Sequence, residues 1–236
     1  MPHHNPTTDD LLTMLHLHYH PGNASMTPHL LLRELGVPFE LKLVDRSRSE
    51  QKSAEYLKLN PNGLIPVLVD DAPAGGGSEP LVLYESAAIL LYLVDKHPEA
   101  GFAPAVGSAA RAHFYKWLVW LSGSGVSMMQ HYFYSDRMVA PGNAAGAAEV
   151  KAQAEARLNG VFDQIEAHLA SHGEPWFLGP RFSALDPYVF MLCRWSRGFG
   201  RPARTLPHIA PYLERMLARP AVQKVFEVEG LSGPAV

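Results

Sequence analysis

Leu59 to Asp70 read LNPNGLIPVLVD, and Leu81 to Val94 read LVLYESAAILLYLV. In the first stretch, Asn60-Pro61-Asn62-Gly63 is turn chemistry throughout. Ile65 to Val69 then predict a strand with a proline at its mouth. The second stretch is a short strand, Leu81–Tyr84, running into an apolar helix through Ile89, Leu90, Leu93 and Val94. Ser86 is its predicted cap, and Pro98 lies beyond its end. Ala72 to Pro80 carries three consecutive glycines and reads as a hairpin-like insert.

Working upstream, Thr13 to His20 (TMLHLHYH) alternates, with Leu15, Leu17 and Tyr19 on one face. Pro21-Gly22-Asn23 breaks that strand. A helix follows through Leu30, Leu31, Leu32 and Leu35, with Thr27 and Pro28 as the expected cap and first position and Gly36 as the stop. Phe39 to Val44 alternates again, and Glu50 to Leu59 reads as a short helix. Residues 1–12 are polar, carry two prolines and read as a loose tail. Downstream the texture changes. Residues 98–107 form a Pro- and Gly-rich linker, and helical periodicities take over at 108–134, 145–171, 184–199, 208–219 and 221–228. The expectation is an α/β domain over 13–97 with order β-α-β-α-β-β-α, joined to an all-helical domain over 108–236.

The 236 residues hold 47% hydrophobic and 18% charged side chains, an ordinary globular mix. No apolar run reaches the ~18 residues that cross a bilayer, and the first residues lack the basic and apolar regions of a secretory signal. A net charge of −3 gives no broad attraction to nucleic acid or acidic membrane. A cytoplasmic protein with neither nucleic-acid nor membrane partners is expected. The single cysteine, Cys193, excludes an internal disulfide and a Cys-based zinc site; within an apolar helix it reads as a small buried hydrophobe. His16, His18 and His20 share one strand face, but no nearby carboxylate or cysteine is expected to complete a metal set, so no metal is expected. Phe114, Tyr115, Trp117 and Trp120 lie at helical spacing and read as core and domain interface rather than a cofactor box.

Four short patterns carry chemistry. Pro66 either starts a strand in the trans form or holds a cis bond; cis leaves the Ile65 N–H and C=O free to pair with an extended peptide. Glu85 and Ser86 lie at a helix start. There Ser86 serves as a plain cap or, through its N–H and hydroxyl, receives a carboxylate, while Glu85 pairs with an ammonium. Asn23-Ala24-Ser25 opens the first helix, where a thiol would lose its proton more easily; the alternative is simple capping by Ser25 or Thr27. Ser183 to Asp186 is a capping box with a structural role.

The order of these elements resembles the cytosolic glutathione transferase family, from about Met14 to Leu231. The resemblance is carried by YHPGNASMTPHLLLRELGVPFEL, LNPNGLIPVLVD, LVLYESAAILLYLVDKHP and FSALDPYVFMLCRWSR. The first stretch is similar to the bacterial beta class. The insert and WLVWLSGSGVSMMQHYFY are similar to the bacterial nu class. The resemblance implies a thioredoxin-like N-terminal domain, an all-α C-terminal domain and a homodimer. It implies glutathione laid along Ile65 before Pro66, with Glu85 and Ser86 at its γ-glutamyl end and Gln51, or else Arg48 or Lys52, at its glycyl end. The second substrate, a small electrophile, disulfide or peroxide, would lie near Ser124, Met128, Gln130, His131 and Tyr132. The position that usually steadies the thiol falls on Ala24, whose methyl cannot donate; Ser25 is the expected substitute, Asn23 the next, and a backbone N–H of the helix start a third. Ala24 leaves two readings: a glutathione S-transferase, or a glutathione-binding or assembly protein without turnover.

Overall fold

The computed structural model describes residues 14–73 and 79–231. The tail at 1–12 and most of the glycine insert therefore lie outside the described residues. Four strands form one mixed sheet: β1 (Leu15–Tyr19), β2 (Phe39–Leu43), β3 (Val67–Asp70) and β4 (Leu81–Tyr84). Their order is β2-β1-β3-β4. β1 runs parallel to β2 and antiparallel to β3, and β3 is antiparallel to β4. Helices α1 (Met26–Leu35), α2 (Ala54–Leu59) and α3 (Ser86–Lys96) complete this part of the chain. It is a thioredoxin-like arrangement.

Alternation sorts the two faces of the sheet. Leu15 and Leu17 are buried on the face that also holds Leu68, as are the apolar stripes of α1 (Met26, Leu30, Leu31) and α3 (Ile89, Leu90, Leu93). Each such side chain contributes about 1.5–3 kcal/mol on burial. On the opposite face Val44, Tyr56, Ile65 and Val67 form a smaller cluster with Leu59 and Val69. His16 and His18 stand on this second face opposite Val69 and Val67, so the histidine face is covered in part by α2.

The local expectations hold with a few shifts. Gly36 ends α1 in the left-handed conformation (φ 67°), its N–H donating to the Leu32 carbonyl at 3.2 Å. α1 begins one residue before Thr27, so Thr27 and Pro28 lie inside the first turn. Pro28 costs nothing there, because first-turn N–H groups have no helical acceptor. The helix foreseen over Glu50–Leu59 is divided: Glu50–Lys52 is a 3-10 turn, and α2 starts at Ala54, where the Ser53 hydroxyl accepts the Tyr56 N–H at 3.2 Å.

The helical part contains α4 (Ala109–Trp120), α5 (Ser127–Phe133), α6 (Ala144–His172), α7 (Leu185–Trp195), α8 (Ile209–Leu217) and α9 (Pro220–Val228). The run foreseen at 108–134 is interrupted: Leu121–Val126 is a π-helical segment between α4 and α5. α7 is the axis of this core, with every residue from Leu185 to Arg194 buried. Its start carries the foreseen capping box. Asp186 accepts the Ser183 N–H at 2.7 Å and its hydroxyl at 3.0 Å, and it also takes the Phe177 N–H at 2.9 Å and the Tyr212 hydroxyl at 3.1 Å.

Two compact units result. One comprises the chain through Ala100 together with Lys224–Leu231; the other spans Gly101–Gln223.

Candidate functional site

The strand register decides where the singled-out residues meet. His18 lies opposite Val67, and Val67 lies opposite Tyr84. The exit of β1, the entry to β3 and the exit of β4 therefore share one end of the sheet. Asn23–Ser25, Ile65–Pro66 and Glu85–Ser86 all leave the sheet there.

The Ile65–Pro66 peptide is cis. The side chain of Ile65 is buried, yet its N–H and carbonyl have no hydrogen-bond partner among the described residues. The adjoining Leu64 carbonyl is taken by the Tyr56 hydroxyl at 2.9 Å and by Asn60 Nδ2 at 2.8 Å, which pins the approach to β3. An open peptide edge is what an extended ligand can pair with.

Glu85 is exposed and has φ +71°, a conformation that strains any residue with a Cβ. Such outliers cost about 1–3 kcal/mol and persist where the surroundings enforce them. Ser86, expected as the cap of α3, is instead its first residue, with Glu85 before it. Ser86 is buried, and its hydroxyl donates to the Ala24 carbonyl at 3.3 Å. The N–H groups of Ser86, Ala87 and Ala88 have no acceptor among the described residues and concentrate positive potential at the helix start.

At the start of α1 the candidate donors separate. Ser25 is fully buried; its hydroxyl donates to the His20 carbonyl at 3.1 Å and accepts the His20 N–H at 3.2 Å. The hydroxyl thus closes the loop after β1. Asn23 is half-buried, and its Oδ1 accepts the Ala24 N–H at 2.6 Å while Nδ2 has no acceptor among the described residues. The Ser25 N–H is likewise without a partner there. Tyr19 is half-buried at the end of β1, its phenol held above the usual range by burial and by the Glu229 charge.

Gln51 sits in the 3-10 turn after β2, half-buried, with a buried Oε1 that has no hydrogen-bond partner. Arg48 is exposed and borders a cleft of about 320 Å³ with Asp45, Glu50 and Ser53. Lys52 is committed to the Asn62 carbonyl at 3.1 Å.

In the helical unit Met128 and His131 line a cleft of about 410 Å³ between α5 and α6. Its remaining walls are apolar (Val139, Val150, Ala154) and polar (Glu149, Gln153, Arg157). His131 Nδ1 is tied to the Ser127 carbonyl at 2.8 Å. Ser124 lies one turn before Met128 in the π segment. Gln130 is exposed, and Tyr132 is buried against Phe199, its ring 4.4 Å away; neither lines this cleft. The α6 wall went unforeseen, since the sequence marks 145–171 only as helical and not which of its residues line a cleft.

Cys193 is fully buried, and burial pushes its thiol far above the usual range, so it stays protonated. His16 and His18 of β1 and His20 just after it have separate surroundings: His16 lies between Glu40 and Asp71, two carboxylates that the sequence reading did not place there, His18 against Tyr56, and His20 on the Val44 carbonyl. Among the described residues no three His, Cys, Asp or Glu side chains are grouped to hold a metal ion, and no helix is long and apolar enough to cross a membrane.

Residues 23–96 match the family model for the glutathione S-transferase N-terminal domain, and residues 148–219 match that for the C-terminal domain. A glutathione S-transferase of Xanthomonas campestris pv. campestris is 30% identical over 216 residues, 92% of this chain and 99% of the relative. The disulfide-bond oxidoreductase YfcG of Escherichia coli K12 is 31% identical over 212 residues, 88% of this chain and 92% of that protein. The crystal structure of a glutathione transferase homologue from Sulfitobacter, with bound glutathione, matches with a TM-score of 0.80 at 27% identity, covering 92% of this chain and 99% of that one. With relatives aligned along nearly its full length and both domain signatures present, the chain belongs to the glutathione S-transferase family.

Proposed function

We propose that this chain binds glutathione at the shared end of its sheet and activates its thiolate for attack on a small electrophile or a disulfide. The open edge of Ile65 pairs with the tripeptide backbone as an added strand. The unpaired N–H groups at Ser86 and Ala87 take the γ-glutamyl carboxylate, and Glu85 pairs with the ammonium. The orphan Oε1 of Gln51 suits an N–H near the glycyl end. The thiol rests over the start of α1, where Asn23 Nδ2 and the Ser25 N–H stabilise the thiolate in preference to the occupied Ser25 hydroxyl.

The thiol proton leaves to solvent, and the sulfur lone pair attacks the electrophilic carbon. A C–S bond forms while the leaving group departs with its electron pair. With a disulfide, the sulfur forms a mixed disulfide and expels a thiolate; a second glutathione then resolves it. Cys193 takes no part. Met128 and His131, with Ser124 one turn earlier, contribute to the second-substrate pocket. The chain acts in the cytoplasm as a homodimer; the exposed Tyr115 and Val119 of α4 offer apolar surface for that contact.

The observation that carries this reading is the Ser86 hydroxyl on the Ala24 carbonyl, which joins a carboxylate-binding helix start to the loop where a thiol would lie. Calorimetry with glutathione tests it. Glu85→Ala should weaken binding at least fivefold, about 1 kcal/mol, through the lost charged hydrogen bond; an unchanged dissociation constant removes Glu85 from the site. Ala24 favours a second reading, binding without turnover. A panel of aryl halide, hydroperoxide and disulfide assays separates the two: tight binding with silence on every substrate selects the second.

A further inference from the structure

We propose that Glu229 is a positioning residue for the glutathione thiol: its buried carboxylate fixes the loop Pro21–Ser25 on which the sulfur rests. This inference stands on the glutathione reading above.

The side chains of Glu229 and His29 are both 0% exposed. Glu229 Oε2 accepts the Gly22 N–H at 2.8 Å, and Oε1 accepts His29 Nδ1–H at 2.8 Å. His29 Nε2 in turn lies 3.4 Å from Arg33 Nε. Glu229 is thus a buried carboxyl with both oxygens engaged, and it has no cheap alternative arrangement. Gly22 adopts φ +67°, and a Cβ placed there would lie 3.5 Å from Leu231 Cδ2, so Lys224–Leu231 covers the loop closely.

The loop is held at Gly22 by Glu229, at Asn23 by its N–H on the His20 carbonyl at 3.1 Å, at Ala24 by the Ser86 hydroxyl and at Ser25 by the His20 backbone. The Gly22 bond is the one that ties this loop to Lys224–Leu231, and both donors of the α1 start follow it closely in the chain. Losing it loosens the turn that leads into Asn23. Electrostatics alone predicts the opposite outcome. The Glu229 charge reaches the end of β1, where with burial it raises the Tyr19 phenol, and an anion disfavours a nearby thiolate. The groups facing Glu229 are Tyr19, His29 and the Gly22 N–H, with Arg33 behind His29. Removing the charge without losing position should lower the thiol pKa; losing position should raise it.

The test is a thiolate absorbance titration of bound glutathione in wild type, Glu229→Ala and Glu229→Gln, with kcat and KM alongside. In Glu229→Ala the apparent thiol pKa is expected to rise by about one unit, with kcat below that pKa falling about tenfold. KM for glutathione should stay within about twofold, because the anchors at Ile65, Glu85 and Ser86 are untouched. Glu229→Gln keeps an acceptor for Gly22 but removes the charge, so its thiol pKa should lie at or below that of wild type. Should Glu229→Ala fail to fold, Glu229→Asp, which keeps the charge but withdraws it from Gly22 by one methylene, is read by the same titration and should rise. A Glu229→Ala titration, or that of Glu229→Asp in its place, that coincides with wild type or moves down overturns the assignment of Glu229 and leaves the glutathione reading intact. A wild type that binds no glutathione overturns both.

Discussion

At position 24 the backbone supplies a bond that needs no particular side chain, since the Ala24 carbonyl receives Ser86. On either side, Asn23 and Ser25 differ in what their polar groups have left to give. Asn23→Ala should raise the pKa of the bound thiol by one to two units, the worth of a ~1.5–3 kcal/mol hydrogen bond to a charge, with little change in melting temperature. Ser25→Ala should do the reverse. It leaves the His20 N–H unpaired in a buried loop and costs about 1–3 kcal/mol of stability, read as a lower melting temperature, while the thiol titration moves less than in Asn23→Ala. The sequence set Ser25 ahead of Asn23 because both can donate. What separates them is burial and a partner five residues away, which a linear reading of NAS does not contain. The strand after Ile65-Pro66 and the helix start at Glu85-Ser86 were legible because proline, and a helix start after a strand, act through the local backbone.

Among the elements, the π segment Leu121–Val126 was the least legible. Apolar periodicity runs through it, and a single extra residue in a turn leaves no compositional mark. Its two glycines predict a contrast. A Cβ at Gly125 would lie 2.8 Å from Leu192 Cδ1, in the packed heart of α7, whereas at Gly123 nothing lies within 4 Å. Gly125→Ala should destabilise the chain by about 1–3 kcal/mol through overpacking, and Gly123→Ala should be neutral or stabilising by up to about 1 kcal/mol. Denaturant midpoints of the two variants check this. Strands and helix stops were legible wherever alternation met a breaker, as at Tyr19 before Pro21 and at Leu35 before Gly36. The divided helix at Glu50–Leu59 was not, because Ser53 caps from inside an otherwise helical pattern.

On the scale of the whole molecule, stability should depend on pH through Asp186. Burial pushes its carboxyl up to about 6, against the pull of its donors from Phe177, Ser183 and Tyr212. A carboxyl raised above its unfolded value of 3.8 favours the folded state while protonated, so its contribution is full below pH 3.8 and is lost as pH rises through about 6. The swing is about 3 kcal/mol. Asp186→Asn also loses acceptors and should be less stable throughout. The gap to wild type should widen as pH falls from 7 to 4, and thermal unfolding at both pH values reads it. The change of texture after α3 was legible, since strand alternation stops and helical periodicity begins, but the grouping of Lys224–Leu231 with the first unit was not. The bond from Glu229 to Gly22 was not: 207 positions separate the two, and no local pattern records it.

The lone cysteine carries a consequence for the cell. With its sulfur sealed in α7 and no second cysteine in the sequence, the polypeptide closes no internal disulfide in oxidising or reducing episodes. Thiol chemistry at the site then falls to the diffusible tripeptide, whose supply and redox state set the pace.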